Sequence, residues 1–273
     1  MEEIFSVFQY DFMKLALIAV VIITPLFGIL GTMIVSRKMA FFSDALGHSA
    51  LTGIAVGVIF GMADSSLAMI LFAVVFALAL NKILEKGTAS ADTVISVFSS
   101  LSIAVGLAIL SKGGNFSKYS SLLVGDILSI TKKEILYLVF IFAALLVFWC
   151  VGFNRLNAIT VHRTLAKSFG FRVKLLENLF AVFTALTVML SIKWVGILII
   201  NALLILPAAA SRNISENMRE YHLLAVIFSM FSGVAGLMFS YFTNVATGPM
   251  IVIVAAVIYF GTFTYMHVGE RQR

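Results

Sequence analysis

Asp44 and His48 stand four residues apart in Met39–Ala63, MAFFSDALGHSALTGIAVGVIFGMA, a stretch otherwise free of ionisable side chains. Spaced i and i+4, the two share one face of any helix they occupy. A carboxylate with a neutral imidazole is a mixed oxygen–nitrogen donor set that suits Zn2+, Mn2+ or Fe2+. Two ligands leave a zinc site incomplete, since zinc usually takes four. A second copy across a two-fold axis, or other pathway residues, would have to complete it. The same pair could relay protons, because His titrates near neutrality, or form a purely structural contact. Chemistry alone leaves all three readings open. A charged group at the bilayer centre costs about 2.5–3.5 kcal/mol even on the lenient insertion scale, so such pairs face a pathway or a partner.

Two other carboxylates are weaker metal candidates. Asp92 opens an apolar run in TASADTVISVFSS, where the helix dipole favours an acid and a capping role competes. Asp126, in SSLLVGDILSI, is flanked by apolar residues in a segment too short to span a bilayer. That segment reads as a re-entrant or interfacial helix. On the stretch that carries Asp44, the residues Ser49, Gly53, Gly57 and Gly61 recur every four positions. Such a ridge lets another helix approach closely, and would hold the Asp44/His48 face against a neighbour. Asn201 and Pro207, in IINALLILPAAAS, mark a kinked span with one hydrogen-bonding side chain for helix packing.

The elements that must position these residues are long apolar helices. The chain has 273 residues, 61% hydrophobic and only 12% charged, against about 25% charged in a soluble domain. No soluble fold could hide so much apolar surface. The uncharged runs are continuous, which excludes the alternation of a membrane barrel. The expected fold class is an all-α polytopic membrane protein of about 8–9 transmembrane helices, a single membrane-embedded domain over residues 1–273. The spans run roughly Leu15–Val35, Ala40–Met62, Ser65–Asn81, Thr93–Ser111, Ile135–Phe153, Asn178–Ile192, Trp194–Ser211, Leu223–Thr243 and Pro249–Met266. The turn at Ser191–Gly196 and the Lys112–Glu134 connection are the weakest divisions. The acidic start, MEEIFSVFQYDFMK, carries no mark of a cleavable signal. Cys150 is the single cysteine, so no internal disulfide can form.

Basic residues set the orientation. Of the nineteen Lys and Arg, one alternating set of loops holds thirteen, from Arg37 and Lys38 through Arg163, Lys167 and Arg212 to Arg271 and Arg273. The other holds Lys14, Lys112, Lys118, Lys132, Lys133 and Lys193. The richer side is cytoplasmic by the positive-inside rule, which puts the C-terminus in the cytoplasm and, with nine spans, the N-terminus outside. The net charge of +6 is loop basicity between spans and no nucleic-acid footprint. The longest basic loop, Asn154–Glu177, has Leu165, Phe169 and Leu176 as apolar anchors, with Gly170 to break or cap a short helix. An amphipathic helix there could dock a soluble partner or lie on anionic lipid.

Absences narrow the function. The sequence has no phosphate-binding GxxxxGK[ST], HExxH, CxxC or GxSxG motif, so ATP binding of that kind, hydrolase and metalloprotease chemistry have no support. Energy for transport must come from an ion gradient or from another subunit.

Four ordered stretches carry a resemblance. RKMAFFSDALGHSALTGIAVG (Arg37–Gly57) resembles the hallmark segment of the ABC-3 permeases, the membrane subunits of bacterial zinc, manganese and sometimes iron ABC importers. LAKSFGFRVKLLE (Leu165–Glu177) looks like that family's cytoplasmic coupling segment. VGILIINALLILPAAASR (Val195–Arg212) and GLMFSYFTNVATGPMIVIVAA (Gly236–Ala256) look like its later spans. The resemblance implies a type II ABC importer-like permease that pairs with a second copy of itself in the bacterial cell membrane. It implies a cytoplasmic ABC ATPase dimer and an extracytoplasmic metal-binding protein as partners, with no cofactor bound and no catalysis by this chain. Asp44 and His48 fall on the hallmark's metal-coordinating positions, and Asp92 matches an acidic position the family often carries. Leu165, Ala166, Lys167 and Gly170 fall in the ATPase-coupling segment. Gly47, Thr52, His162 and Ala246 depart from the family's usual residues. The competing readings are an ABC permease for a metal chelate, an ion-coupled secondary metal transporter acting alone, and a membrane-embedded enzyme.

Overall fold

The computed structural model describes residues 10–62, 65–87, 89–112 and 121–270; Lys118, Arg271 and Arg273 of the charge tally lie outside them. The helices are α1 Asp11–Ser36, α2 Phe41–Ile59, α3 Ser65–Leu84, α4 Ala91–Lys112, the short α5 Ser121–Val124, α6 Lys132–Val161, α7 Arg163–Ser168, α8 Val173–Val195, α9 Ile197–Ile214, α10 Met218–Thr243 and α11 Thr247–Glu270. A 3-10 turn, Ile127–Ser129, follows α5. Among the described residues, eight helices are long and apolar enough to cross a membrane, and the apolar run Ile199–Ile214 of α9 is shorter. Each of the nine expected spans thus has its helix.

The hydrophobic pattern decides the layering. Ile23–Ile34 of α1 is buried on every side, as a helix apolar all round must be. It packs against α10, α9 and α6. Pro25 lies inside this helix and cannot donate a backbone hydrogen bond. Hydroxyls gather around it: Thr24 Oγ1 donates to the Val20 carbonyl at 2.8 Å, and Ser229 Oγ of α10 donates to the Thr24 carbonyl at 2.7 Å. On the outside, α11 and α6 bury only 11% and 22% of their most apolar windows, so these helices present apolar surface outward.

Two ends emerge. One gathers Arg37, Asn81, Glu85, Thr160, Arg163 and Glu177 around a single cavity. The other brings Met13, Asp126, Tyr241 and Thr247 together and pairs Lys193 of α8 with Glu134 of α6 at 2.6 Å. The chain therefore runs up and down between an Arg37 end and a Lys193 end, reversing between α8 and α9 at Gly196, φ 92°.

The expected basic loop Asn154–Glu177 is corrected by the structure. Asn154–Val161 continue α6, which reaches 30 residues, and α8 already begins at Val173. The Thr131/Glu134 capping box starts α6, and no proline interrupts it before Val161. Polar residues can extend a helix beyond the apolar span, so hydropathy underestimates its length.

Candidate functional site

Asp44 lies in the first turn of α2 and His48 one turn further, about 10 Å along the axis from Phe41. The pair therefore sits toward the Arg37 end of the bundle. The helix N-terminus has no side-chain cap, and its free backbone N–H groups favour the Asp44 carboxylate there. His48 Nε2 is 3.5 Å from Asp44 Oδ1, with the side chains 20% and 35% exposed. That separation is long for a strong hydrogen bond. It matches the edge of a tetrahedral site, since two donors each about 2.1 Å from one Zn2+ stand about 3.4 Å apart. Nδ1 of His48 is buried and has no hydrogen-bond partner among the described residues.

Neighbouring helices fix this face. Ser43 Oγ donates to Asn201 Oδ1 at 2.5 Å, joining the turn of Asp44 to α9. Thr52 Oγ1 donates to the Ser102 carbonyl of α4 and lies 3.0 Å from Ser102 Oγ. At Gly53 a Cβ would stand 2.7 Å from Met69 Cα, so the backbones of α2 and α3 approach too closely for any side chain. Gly57 is buried on the same helix. Gly61 is a correction: it lies past the end of α2 at φ 65°, and a Cβ there would meet nothing within 4 Å. Its N–H donates to the Val58 carbonyl and that of Met62 to the Gly57 carbonyl, which makes it a helix stop.

Neither Asp92 nor Asp126 joins the pair in a metal-holding group among the described residues. Asp92 is exposed in the first turn of α4, and the cap is Ser90, whose Oγ accepts from Thr93 N at 3.2 Å. Asp126 is exposed; its Oδ1 accepts from Leu128 N at 3.0 Å, and its own N–H donates to the Lys193 carbonyl. It caps the 3-10 turn and pins that irregular segment to the end of α8. Among the described residues, no three of His, Cys, Asp and Glu form a metal-holding group. Asp44 and His48 are thus a pair without a third such side chain grouped with them among the described residues.

The segment between α6 and α8 forms a second feature. His162 separates α6 from α7, and its Nδ1 accepts from Leu165 N at 3.2 Å, capping α7. Ala166 is 2% exposed, whereas Leu165 and Phe169 are 53% and 70% exposed. Lys167 is exposed too. Gly170, φ 80°, ends α7, with its N–H on the Lys167 carbonyl. Arg163 binds Glu177 through both arms, Nε to Oε1 at 3.1 Å and Nη2 to Oε2 at 2.9 Å, and also reaches Glu85 Oε1 at 2.9 Å. Lys174 reaches Glu85 Oε2 at 3.3 Å. Burial raises the Glu85 carboxyl, but the bonds from Lys174 and Arg163 outweigh it and hold it below the usual carboxylate range. The Glu177 bond, against burial, raises the Arg163 guanidinium. Burial lowers Arg37, partly offset by the charge of Glu177. Local spacing carries no sign of this cluster, because Glu85 is 78 positions from Arg163.

The profile of the ABC 3 transport family matches residues 9–266. This chain belongs to that family. As a family member it is 31% identical over 256 residues to the high-affinity zinc uptake system membrane protein ZnuB of Haemophilus influenzae, covering 92% of this chain and 96% of that protein. It is 26% identical over 257 residues to the manganese transport system membrane protein MntC of Listeria monocytogenes, covering 94% and 91%. The solved structure of PsaBC from Streptococcus pneumoniae in complex with Fab aligns with a TM-score of 0.83 at 27% identity, covering 96% of this chain and 94% of that one. This ABC 3 family chain is a multi-pass membrane protein with the all-helical permease fold that the sequence implies.

Proposed function

We propose that this chain is the permease subunit of an ATP-driven importer for a divalent transition metal, zinc or manganese with iron as the alternative, and that Asp44 and His48 are transient ligands in its pathway. The observation that carries the site is the 3.5 Å separation of Asp44 Oδ1 from His48 Nε2 on one helix face. Family membership supports the transport role, and the names of the zinc and manganese relatives support the cargo. Two ligands per chain suit cargo that must leave again, since conduction requires weak or multi-site binding. Pairing with a second copy would double the set. Partners of the assembly are a cytoplasmic ATPase dimer, docking on the exposed Leu165, Lys167 and Gly170 while the buried Ala166, expected to dock with them, instead seats α7 on the bundle, and an extracytoplasmic metal-binding protein. The Arg37 end then faces the cytoplasm with the C-terminus, in the bacterial inner membrane, and the chain itself hydrolyses nothing.

The test is uptake of radiolabelled Zn2+ and Mn2+ in cells lacking this chain, complemented by wild type, Asp44→Ala or His48→Ala at matched protein levels. Each variant should lose at least about tenfold in uptake of one metal, the scale of a lost ligand or its supporting shell. Full rescue by both variants would make the pair structural and return the metal path to an open question.

A further inference from the structure

One polar cavity of about 420 Å3 lies where α1, α3, α6, α7 and α8 end together. Arg163, the first residue of α7, lines it with Glu85, just beyond α3, and Glu177 in α8. Arg37 and Met39, from the hairpin that leads into α2, line it as well. Asp44 follows Met39 by five residues. The exposed Leu165, and Phe169 just past the end of α7, therefore belong to an element whose first residue is tied, by a fork of three hydrogen bonds, to α8 and to the end of α3. Asn81 of α3 donates to Asn178 of α8 at 2.6 Å and holds those two ends together beside the fork. From Glu85, α3 runs back to Met69, whose backbone meets Gly53 of α2. A planar guanidinium bound bidentately transmits direction as well as attraction, because both arms must move with it.

We propose that Arg163 is the positioning residue that conveys movement of α7 to α3 and α8, and through them to the α2 face carrying Asp44 and His48. This rests on the reading of α7 as the ATPase-docking element. Arg163 is itself 46% exposed at its side chain, so its removal leaves the packed bundle in place and breaks the fork alone. Arg163→Gln should leave ATPase turnover near that of the wild type and separate it from transport. Arg163→Lys keeps the charge and loses the fork, and should fall between.

The test uses the complete transporter, permease with its ATPase and binding protein, in proteoliposomes, with metal uptake and ATP hydrolysis read in parallel. Arg163→Gln is expected to cut metal moved per ATP by about tenfold, the scale of a lost coupling term. Glu85→Gln should do so less, and the double variant no more than Arg163→Gln alone, because one link cannot be broken twice. A wild-type ratio in Arg163→Gln overturns the proposal, as does strict additivity with Glu85→Gln. Loss of the ATPase from the Arg163→Gln complex overturns it too, assigning Arg163 to docking instead. Failure of the wild-type complex to move Zn2+ or Mn2+ with ATP would sink the importer reading, a result distinct from any of these.

Discussion

Two kinds of charged group matter at the scale of single residues, and they differ in company. Asp44 has one imidazole beside it and the end of a helix beneath it, an arrangement with ligand capacity left over. Glu85 spends its capacity on Arg163 and Lys174. Its folded pKa lies below the ordinary carboxylate value, so the charged form is the one the fold favours. Stability from that preference is complete above the ordinary glutamate pKa of about 4.3 and is lost as pH falls through the lower folded value. Thermal unfolding of the purified complex should therefore find wild type more stable than Glu85→Gln at neutral pH. The gap should close only in acid, below the usual carboxylate range. A gap that widened toward acid would contradict the ion pairs.

Whole elements obey steric rules more than electrostatic ones. The approach of α2 to α3 at Gly53 leaves no volume for a side chain, and overpacking a tight contact costs about 1–3 kcal/mol or more. Gly53→Leu should abolish membrane accumulation or leave an unstable protein. Gly61→Ala meets no neighbour and loses only the ease of a left-handed backbone, about 1 kcal/mol. It should accumulate nearly normally. Immunoblots of membrane fractions compare the two, and equal loss in both would refute the division between packing and helix-stop glycines. The four-residue spacing alone makes Ser49, Gly53, Gly57 and Gly61 look equivalent. The helix in fact ends at Ile59, because Gly61 adopts the positive φ that stops it.

For the whole molecule, the distribution of charge between the two ends is the governing fact. Arg37, Arg163, Lys174 and Arg212 lie at one end and Lys112, Lys132 and Lys193 at the other. With Cys150 replaced by Ser, single cysteines at Lys167 and Lys193 should separate cleanly in intact cells. A membrane-impermeant maleimide should label position 193 and spare 167 until the membrane is opened. The opposite labelling would invert the orientation and move the Arg163 cavity outside.

Whatever depends on local pattern was legible in the amino-acid order. Apolar runs longer than a bilayer could only be helices, since backbone groups in lipid must be satisfied within their own segment. The i, i+4 spacing placed Asp44 and His48 on one face, and Gly170 marked the end of α7. Whatever joins distant positions was settled by the packed fold. Packing buried Leu156 and Ile159 in the extension of α6 through Asn154–Val161 and joined the Asp126 N–H to the Lys193 carbonyl of α8. It also brought Glu85, Arg163 and Glu177 together from separate helices. No periodicity encodes such a cluster, because its spacing is set by which helix ends share a neighbourhood, and that follows from how the helices pack.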